Sequence, residues 1–180
     1  MNEVVYNSID IRYVARKFVQ IPLTFNGGYD IPVGAIIGIK NGNIEIIKRD
    51  AIASNIASAT KEITLKDVSK FKIGDIVSLV REDGTGVQSL GAIVNIDVQG
   101  KKVTVTNDVG ATFNVGSFLF VADGSEKAIG VLSEPAIGNG EVQTINAYIE
   151  GVFDATLISG IDKIVLKDLN GRVINNILVF

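Results

Sequence analysis

The sequence predicts an all-β fold in which a small barrel core carries an inserted SH3-like β-barrel domain and an extended N-terminal arm. Three observations carry this reading. The apolar share is 47% of 180 residues, and it is drawn mostly from Ile and Val. Branching at Cβ restricts χ1 and suits these residues to a pleated surface better than to a helix. Nineteen Gly but only three Pro supply turns rather than a stiff linker. Runs of apolar alternation are broken at nearly regular spacing by Asn-Gly, Asp-Gly and Gln-Gly pairs, as short strands in a sandwich or barrel would be.

The arm comes first. From Ile11 to Tyr29 the chain holds Arg12, Arg16 and Lys17 with no acidic residue, interleaved with Tyr13, Phe18, Phe25 and Tyr29, and it runs into Asn26-Gly27-Gly28. Residues 1–30 are therefore read as an extension outside the cores. The clearest hairpin comes next, Ala35–Lys40 and Asn43–Lys48 across Asn41-Gly42, because Asn-Gly tolerates the positive φ angles of a two-residue primed turn. Ile52 and Ile56, spaced i, i+4, predict a short helix over Asp50–Ala59.

An internal echo occupies the middle of the chain. Ile63-Thr64-Leu65 followed by Phe71-Lys72-Ile73-Gly74-Asp75 resembles Val103-Thr104-Val105 followed by Phe113-Asn114-Val115-Gly116-Ser117. Each copy reads as a strand, a polar connection and a Phe-x-(Ile/Val)-Gly turn into an apolar strand (Ile76–Val80, Phe118–Val121). Gly74 and Gly116 are expected at backbone angles closed to residues with a Cβ, with Phe71 and Phe113 filling one small core. A second hairpin, Ala92–Asp97 with Lys102–Thr106, turns at Gln99-Gly100. Residues from about 60 to about 122 thus read as a compact domain of their own, between 31–50 and 126–180. Within 126–180, Ala128–Leu132 and the stretch around Ile149–Phe153 read as strands, and a third hairpin pairs Lys163–Asp168 with Arg172–Phe180 across Asn170-Gly171.

What is missing narrows the function. With no Cys there is no disulfide, thiolate nucleophile or Cys-ligated zinc; with no His the commonest general base and transition-metal ligand are gone. A net charge of -3 and a pI near 5.0 provide no global basic field for nucleic acid. A membrane span needs about 20 consecutive apolar residues, and the most apolar stretch, Ile31–Ile39, is shorter and contains Pro32, Gly34 and Gly38. The first residues lack the basic and apolar regions of a secretory leader. A mean hydropathy of +0.34 without a membrane points to burial between subunits.

Asp83-Gly84, Asp123-Gly124 and Asp108 before Gly110 lack the second carboxylate that a calcium loop needs at fixed offset, and read as turns. Ser69 and Lys70 are neighbours that would face opposite ways on a strand and so cannot share a proton directly. For them, as for the Ser125, Lys127 pair, ion pairs and solvated lysines are the better reading. The expectation is a non-enzymatic structural protein with no cofactor and no metal. The arm, with Arg12, Tyr13, Arg16, Lys17 and Phe18, is the one stretch with a binding character. It could bind phosphates and bases, dock on a protein by strand addition, or pack on its own barrel. Three cations on an acidic chain disfavour specific nucleic-acid binding. Gly130 and Gly151 sit inside apolar strands, which marks either a local kink or a place where another backbone comes close, such as a subunit seam.

Three stretches also resemble the lambda-type head decoration proteins of tailed bacteriophages. Ile31-Pro32-Val33-Gly34-Ala35-Ile36-Ile37 before a hairpin is similar to the start of that family's β-tulip core. Ala128-Ile129-Gly130-Val131-Leu132-Ser133 resembles its small-apolar-Gly-apolar-apolar strand. Ala147-Tyr148-Ile149-Glu150-Gly151-Val152-Phe153, then Ala155-Thr156-Leu157, resembles its next strand, Gly and adjoining segment. The small prototype lacks a counterpart to 51–125, which the resemblance therefore implies is a domain inserted into an outer core of 31–50 and 126–180, and it carries a hairpin Trp that is absent here. The resemblance implies a homotrimer on the outside of the virion capsid, made in the host cytoplasm. It would bind the major capsid protein at three-fold positions of the expanded head through the N-terminal arm. The rival readings are a β-rich virion fibre or adhesin domain and an SH3-like nucleic-acid-binding module. The second needs a clustered basic face, and the lysines and Arg81 of 61–122 are offset by Glu62, Asp67, Asp75, Glu82, Asp83, Asp97 and Asp108.

Overall fold

The computed structural model describes residues 18–180. The chain runs through β1 (Val19–Phe25), β2 (Ile36–Lys40), β3 (Asn43–Ile46), β4 (Arg49–Ala51), β5 (Glu62–Thr64), β6 (Ile76–Val80) and β7 (Gln88–Asp97). It continues through β8 (Lys102–Val105), β9 (Phe118–Val121), β10 (Gly130–Leu132), β11 (Gln143–Glu150) and β12 (Val152–Asp154). A 3₁₀ turn (Ala155–Leu157), helix α1 (Lys163–Asp168), β13 (Arg172–Ile174) and β14 (Ile177–Val179) complete it. The fold is all-β with barrel-like parts. Two compact units divide it: the described residues up to Ile46 with Ala128–Phe180, and Ile47–Lys127. Residues 47–50 and 126–127, grouped with the outer core on sequence, belong to the second unit.

The first unit is built on a closed barrel of strand order β1-β11-β10-β2-β3. Its β2–β3 hairpin turns on Asn41 and Gly42 at φ +51° and +81°, and sets Ile37 against Ile46 and Ile39 against Ile44. β10 joins it to β11, with Ile37 opposite Gly130 and Val131 opposite Tyr148. Inward-facing residues of this ring, Phe25, Ile37, Ile44, Leu132 and Ala147 among them, form one core with Ile31 and Ala136.

The arm, expected to extend to residue 30, needs correction. Val19–Phe25 is β1, paired along its whole length with β11 and touching β3 in parallel at Thr24–Asn43. Phe25 is completely buried. The alternation Ile21, Leu23, Phe25 is the strand's inward face, and basic residues upstream masked that period. The third hairpin is corrected as well. Lys163–Asp168 is a helix: Asp162 caps it, its carboxylate accepting from the amides of Ile164 and Val165 at 2.8 Å. A cap of this kind is worth about 1 kcal/mol. Asn170-Gly171 terminates it, Asn170 at φ +52° and the Gly171 amide donating to the Leu166 carbonyl at 2.7 Å. This is a Schellman stop rather than a hairpin turn. The hairpin is instead β13–β14 across Asn175-Asn176, both at positive φ, and β14 also pairs with β12.

The second unit is a six-stranded sheet of order β4-β9-β6-β7-β8-β5. Its two edge strands meet through the bridge Ile52–Leu65, flanked by Ala53 N–H to Thr64 and Lys66 N–H to Ala51 at 2.8 and 3.0 Å. The sequence echo appears here as an internal two-fold relation. β5 pairs with β8 about Ile63–Val103, and β6 with β9 about Ser78–Phe120, each strand lying antiparallel to its own counterpart. The relation extends to β4 and β7: the Ile52 amide donates to the Ser117 carbonyl (3.0 Å) as the Ile93 amide does to that of Asp75 (2.9 Å). Gly74 and Gly116 take φ +93° and +100°, and Phe71 and Phe113 are buried in the same core.

The second hairpin is present as β7–β8, with Lys101 taking the positive φ after Gly100 and a bulge at Val94. The helix predicted over Asp50–Ala59 does not form. Ile52 and Ile56 are buried instead as bridge residues, the latter exchanging both backbone hydrogen bonds with Phe113. A spacing of four is an even number and fits a strand's period of two as well as a helical turn.

Candidate functional site

Of the residues singled out from sequence, Phe18, Gly130 and Gly151 lie around Tyr148 and Phe153 of the first unit. Arg12, Tyr13, Arg16 and Lys17 lie outside the described residues. Phe18, 39% exposed, stands at the entry to β1 and meets the Tyr148 ring edge-on, centroids 5.3 Å apart. From Tyr148 a row of aromatic rings continues to Phe153 (5.1 Å) and on to Phe180 (5.1 Å, near-parallel planes). Phe153 is fully buried, whereas Phe18 and Phe180 are partly open to solvent. Rings at such separations contribute about 0.5–1.5 kcal/mol per pair beyond their burial. The row ties the β1–β11 side of the barrel to the β12-β14-β13 sheet, and Val19 and Ile149 add exposed apolar surface on β1 and β11.

Gly130 and Gly151 frame this row. A Cβ on Gly130 would overlap the Tyr148 carbonyl oxygen and lie 3.2 Å from its carbon. One on Gly151 would lie 2.5 Å from Cζ of Phe153. Gly151 also exchanges both backbone hydrogen bonds with Phe180, at 2.7 and 3.2 Å. Of the two explanations for these glycines, close approach by another backbone applies at Gly130, and that backbone is the chain's own. At Gly151 the neighbour is a ring. Each glycine is thus required by its own protomer, independently of any subunit seam.

The acidic turns carry a common local chemistry. Asp67, Asp83, Asp123 and Asp154 each accept from both the amide and the hydroxyl of a Ser or Thr two residues on, at 2.6–3.1 Å. The hydroxyl of the partner, then its amide, holds the carboxyls of Asp67, Asp83 and Asp154 below the ordinary aspartate value. Groups shifted this way stabilise the fold above the ordinary range, and the contribution is lost as pH falls through the lowered value. Asp50 moves the other way, raised chiefly by burial although Lys70 lies 3.7 Å away, so it favours the fold below the ordinary range and that contribution is lost as pH rises. Thr85→Ala removes the 2.7 Å hydroxyl bond to Asp83 and is expected to raise that carboxyl toward its ordinary value; a carbon-detected NMR titration that finds no rise would contradict this origin of the shift.

Neither Ser–Lys neighbour pair is brought together. The Ser69 and Ser125 hydroxyls donate to Asp67 and Asp123, and Lys70 donates to the Arg49 carbonyl. Among the described residues no group of three acidic side chains is placed to hold a metal ion. No described helix is long and apolar enough to cross a membrane. The features that sequence reasoning missed are Phe180 and Tyr148 as parts of the aromatic row; the run Tyr148, Phe153 and a terminal Phe was the available signal. No family model, no curated protein and no solved structure matches the chain.

Proposed function

We propose that the chain is a non-enzymatic head decoration protein of the lambda type. It acts as a homotrimer that binds the major capsid protein at three-fold positions on the outside of an expanded capsid and braces it. One observation carries the reading. The three stretches of resemblance are separated by up to about a hundred residues, yet β2, β10 and β11 are hydrogen-bonded neighbours in one barrel. The resemblance therefore falls on a single structural piece, with Ile47–Lys127 as a separate unit between its halves.

Exposed Phe18, Val19 and Ile149 on or beside β1 and β11 supply apolar surface of the kind that self-association or docking covers. The basic residues Arg12, Arg16 and Lys17 precede that surface directly. Three such arms on one trimer would bind far more tightly than one, because the second and third engage at high local concentration. The second unit carries ten Lys and Arg against ten Asp and Glu, which does not favour a nucleic-acid partner. In co-sedimentation with expanded, empty phage heads, the full chain is expected to pellet saturably. Residues 18–180 are expected to lose at least tenfold in affinity while remaining folded. A full-length chain that stays in the supernatant at all concentrations would overturn the proposal.

A further inference from the structure

We propose that the second unit holds a binding site for a neutral polyhydroxylated ligand, a sugar ring, in the cavity between the turn at Arg81–Asp83 and the turn at Thr112–Ser117. The cavity measures about 230 Å³. The internal two-fold relation shows what is particular about it. Thr112, Asn114 and Ser117 occupy the positions that Lys70, Lys72 and Asp75 hold in the first copy of the turn. There the side chains of Lys70 and Asp75 are committed within the fold: Lys70 to Asp50 and the Arg49 carbonyl, and Asp75 to the Lys72 amide and to Lys48 at 3.9 Å. In the second copy short hydroxyl and amide side chains stand in their place and wall an open cavity.

The opposite wall is set by two glycines. The Arg81 guanidinium lies where a Cβ on Gly86 would be and sits 5.4 Å over the Phe113 ring. The Glu82 carboxyl carbon lies 3.3 Å from where a Cβ on Gly116 would be. Both glycines have positive φ, +63° and +100°, so neither accepts a side chain readily. A guanidinium and a carboxylate are thus set beside hydroxyls and an amide. A phosphate or sulfate would meet Glu82 and Asp83, and a metal ion would meet Arg81. A sugar hydroxyl both donates and accepts, so it can satisfy either sign. Val115, 54% exposed, offers an apolar contact for the C–H face of a ring.

The test is a ¹⁵N NMR titration of the full chain with D-glucose, D-galactose and N-acetyl-D-glucosamine, with inorganic phosphate as the competing chemistry. At least one sugar is expected to give saturable shifts at the Arg81–Asp83 and Thr112–Ser117 amides, with Kd on the order of millimolar. The double variant Thr112→Val, Asn114→Leu, both exposed positions, is expected to keep its dispersed spectrum and weaken binding at least tenfold. Phosphate binding without sugar binding, no saturable shift with any of the three sugars, or undiminished sugar binding by the variant would each overturn the proposal.

Discussion

Gly130→Val is expected to unfold the first unit rather than only to dissociate an oligomer. Gly130 opens β10 opposite Ile37, and its α-carbon faces the backbone carbonyl of Tyr148 on the neighbouring strand. A flexible side chain can yield to a new methyl group, but a carbonyl already inside a barrel cannot move without breaking the β10–β11 ladder. Overpacking in a tight core costs about 1–3 kcal/mol and occasionally more. Here the obstacle is backbone and the intruder is β-branched, so the cost belongs at the top of that range or above it. Gly151→Val is expected to act less severely, because the atoms in its way belong to the Phe153 ring. Urea denaturation at several protein concentrations separates the possibilities. A midpoint lowered equally at all concentrations is the expected result. A variant with unchanged monomer stability and a strongly concentration-dependent midpoint would instead place the role of Gly130 at a subunit seam.

Deleting residues 1–29 is expected to abolish the fold of the first unit, whereas deleting 1–17 leaves it intact. The longer deletion removes β1, strips β11 of a seven-residue partner and takes Phe25 from the centre of the core. Removal of a buried Phe side chain alone costs about 3–5 kcal/mol, a large part of a typical domain's stability. The shorter deletion takes the basic residues Arg12, Arg16 and Lys17 and spares the strand. Circular dichroism melting of the two truncations reads the difference directly. A cooperative, native-like transition in the chain lacking 1–29 would show that β1 is dispensable to the barrel.

These outcomes mark where the sequence was legible. The hairpin at Asn41-Gly42 and the turns at Gly74 and Gly116 could be read because their φ angles demand those residue types. The Phe71 and Phe113 core came out of the repeated turn. The helix at Lys163–Asp168 could not be read from periodicity, since the short apolar run Ile164–Leu166 fits a buried strand as well as a helical turn. What specifies it is at its ends, Asp162 and Asn170-Gly171, and the latter pair serves a helix stop and a hairpin turn equally. Asp50–Ala59 failed in the opposite sense, with an even spacing satisfied by two bridges. β1 was hidden because a strand with one wet face and basic neighbours has the composition of an arm. The Gly130 requirement is a tertiary fact, fixed by the carbonyl of Tyr148 on another strand, and local pattern does not contain it. The cavity beside Arg81 was likewise invisible, because it depends on the two-fold pairing of β6 with β9.

The central claim is that the first unit is a capsid-bracing barrel, and electron microscopy of expanded, empty phage heads mixed with the full chain tests it most directly. The account predicts trimeric density over the three-fold positions of the expanded shell, and bare shells when residues 1–17 are missing. Expanded heads that stay bare with the full chain, or density confined to vertices or tail, would contradict it.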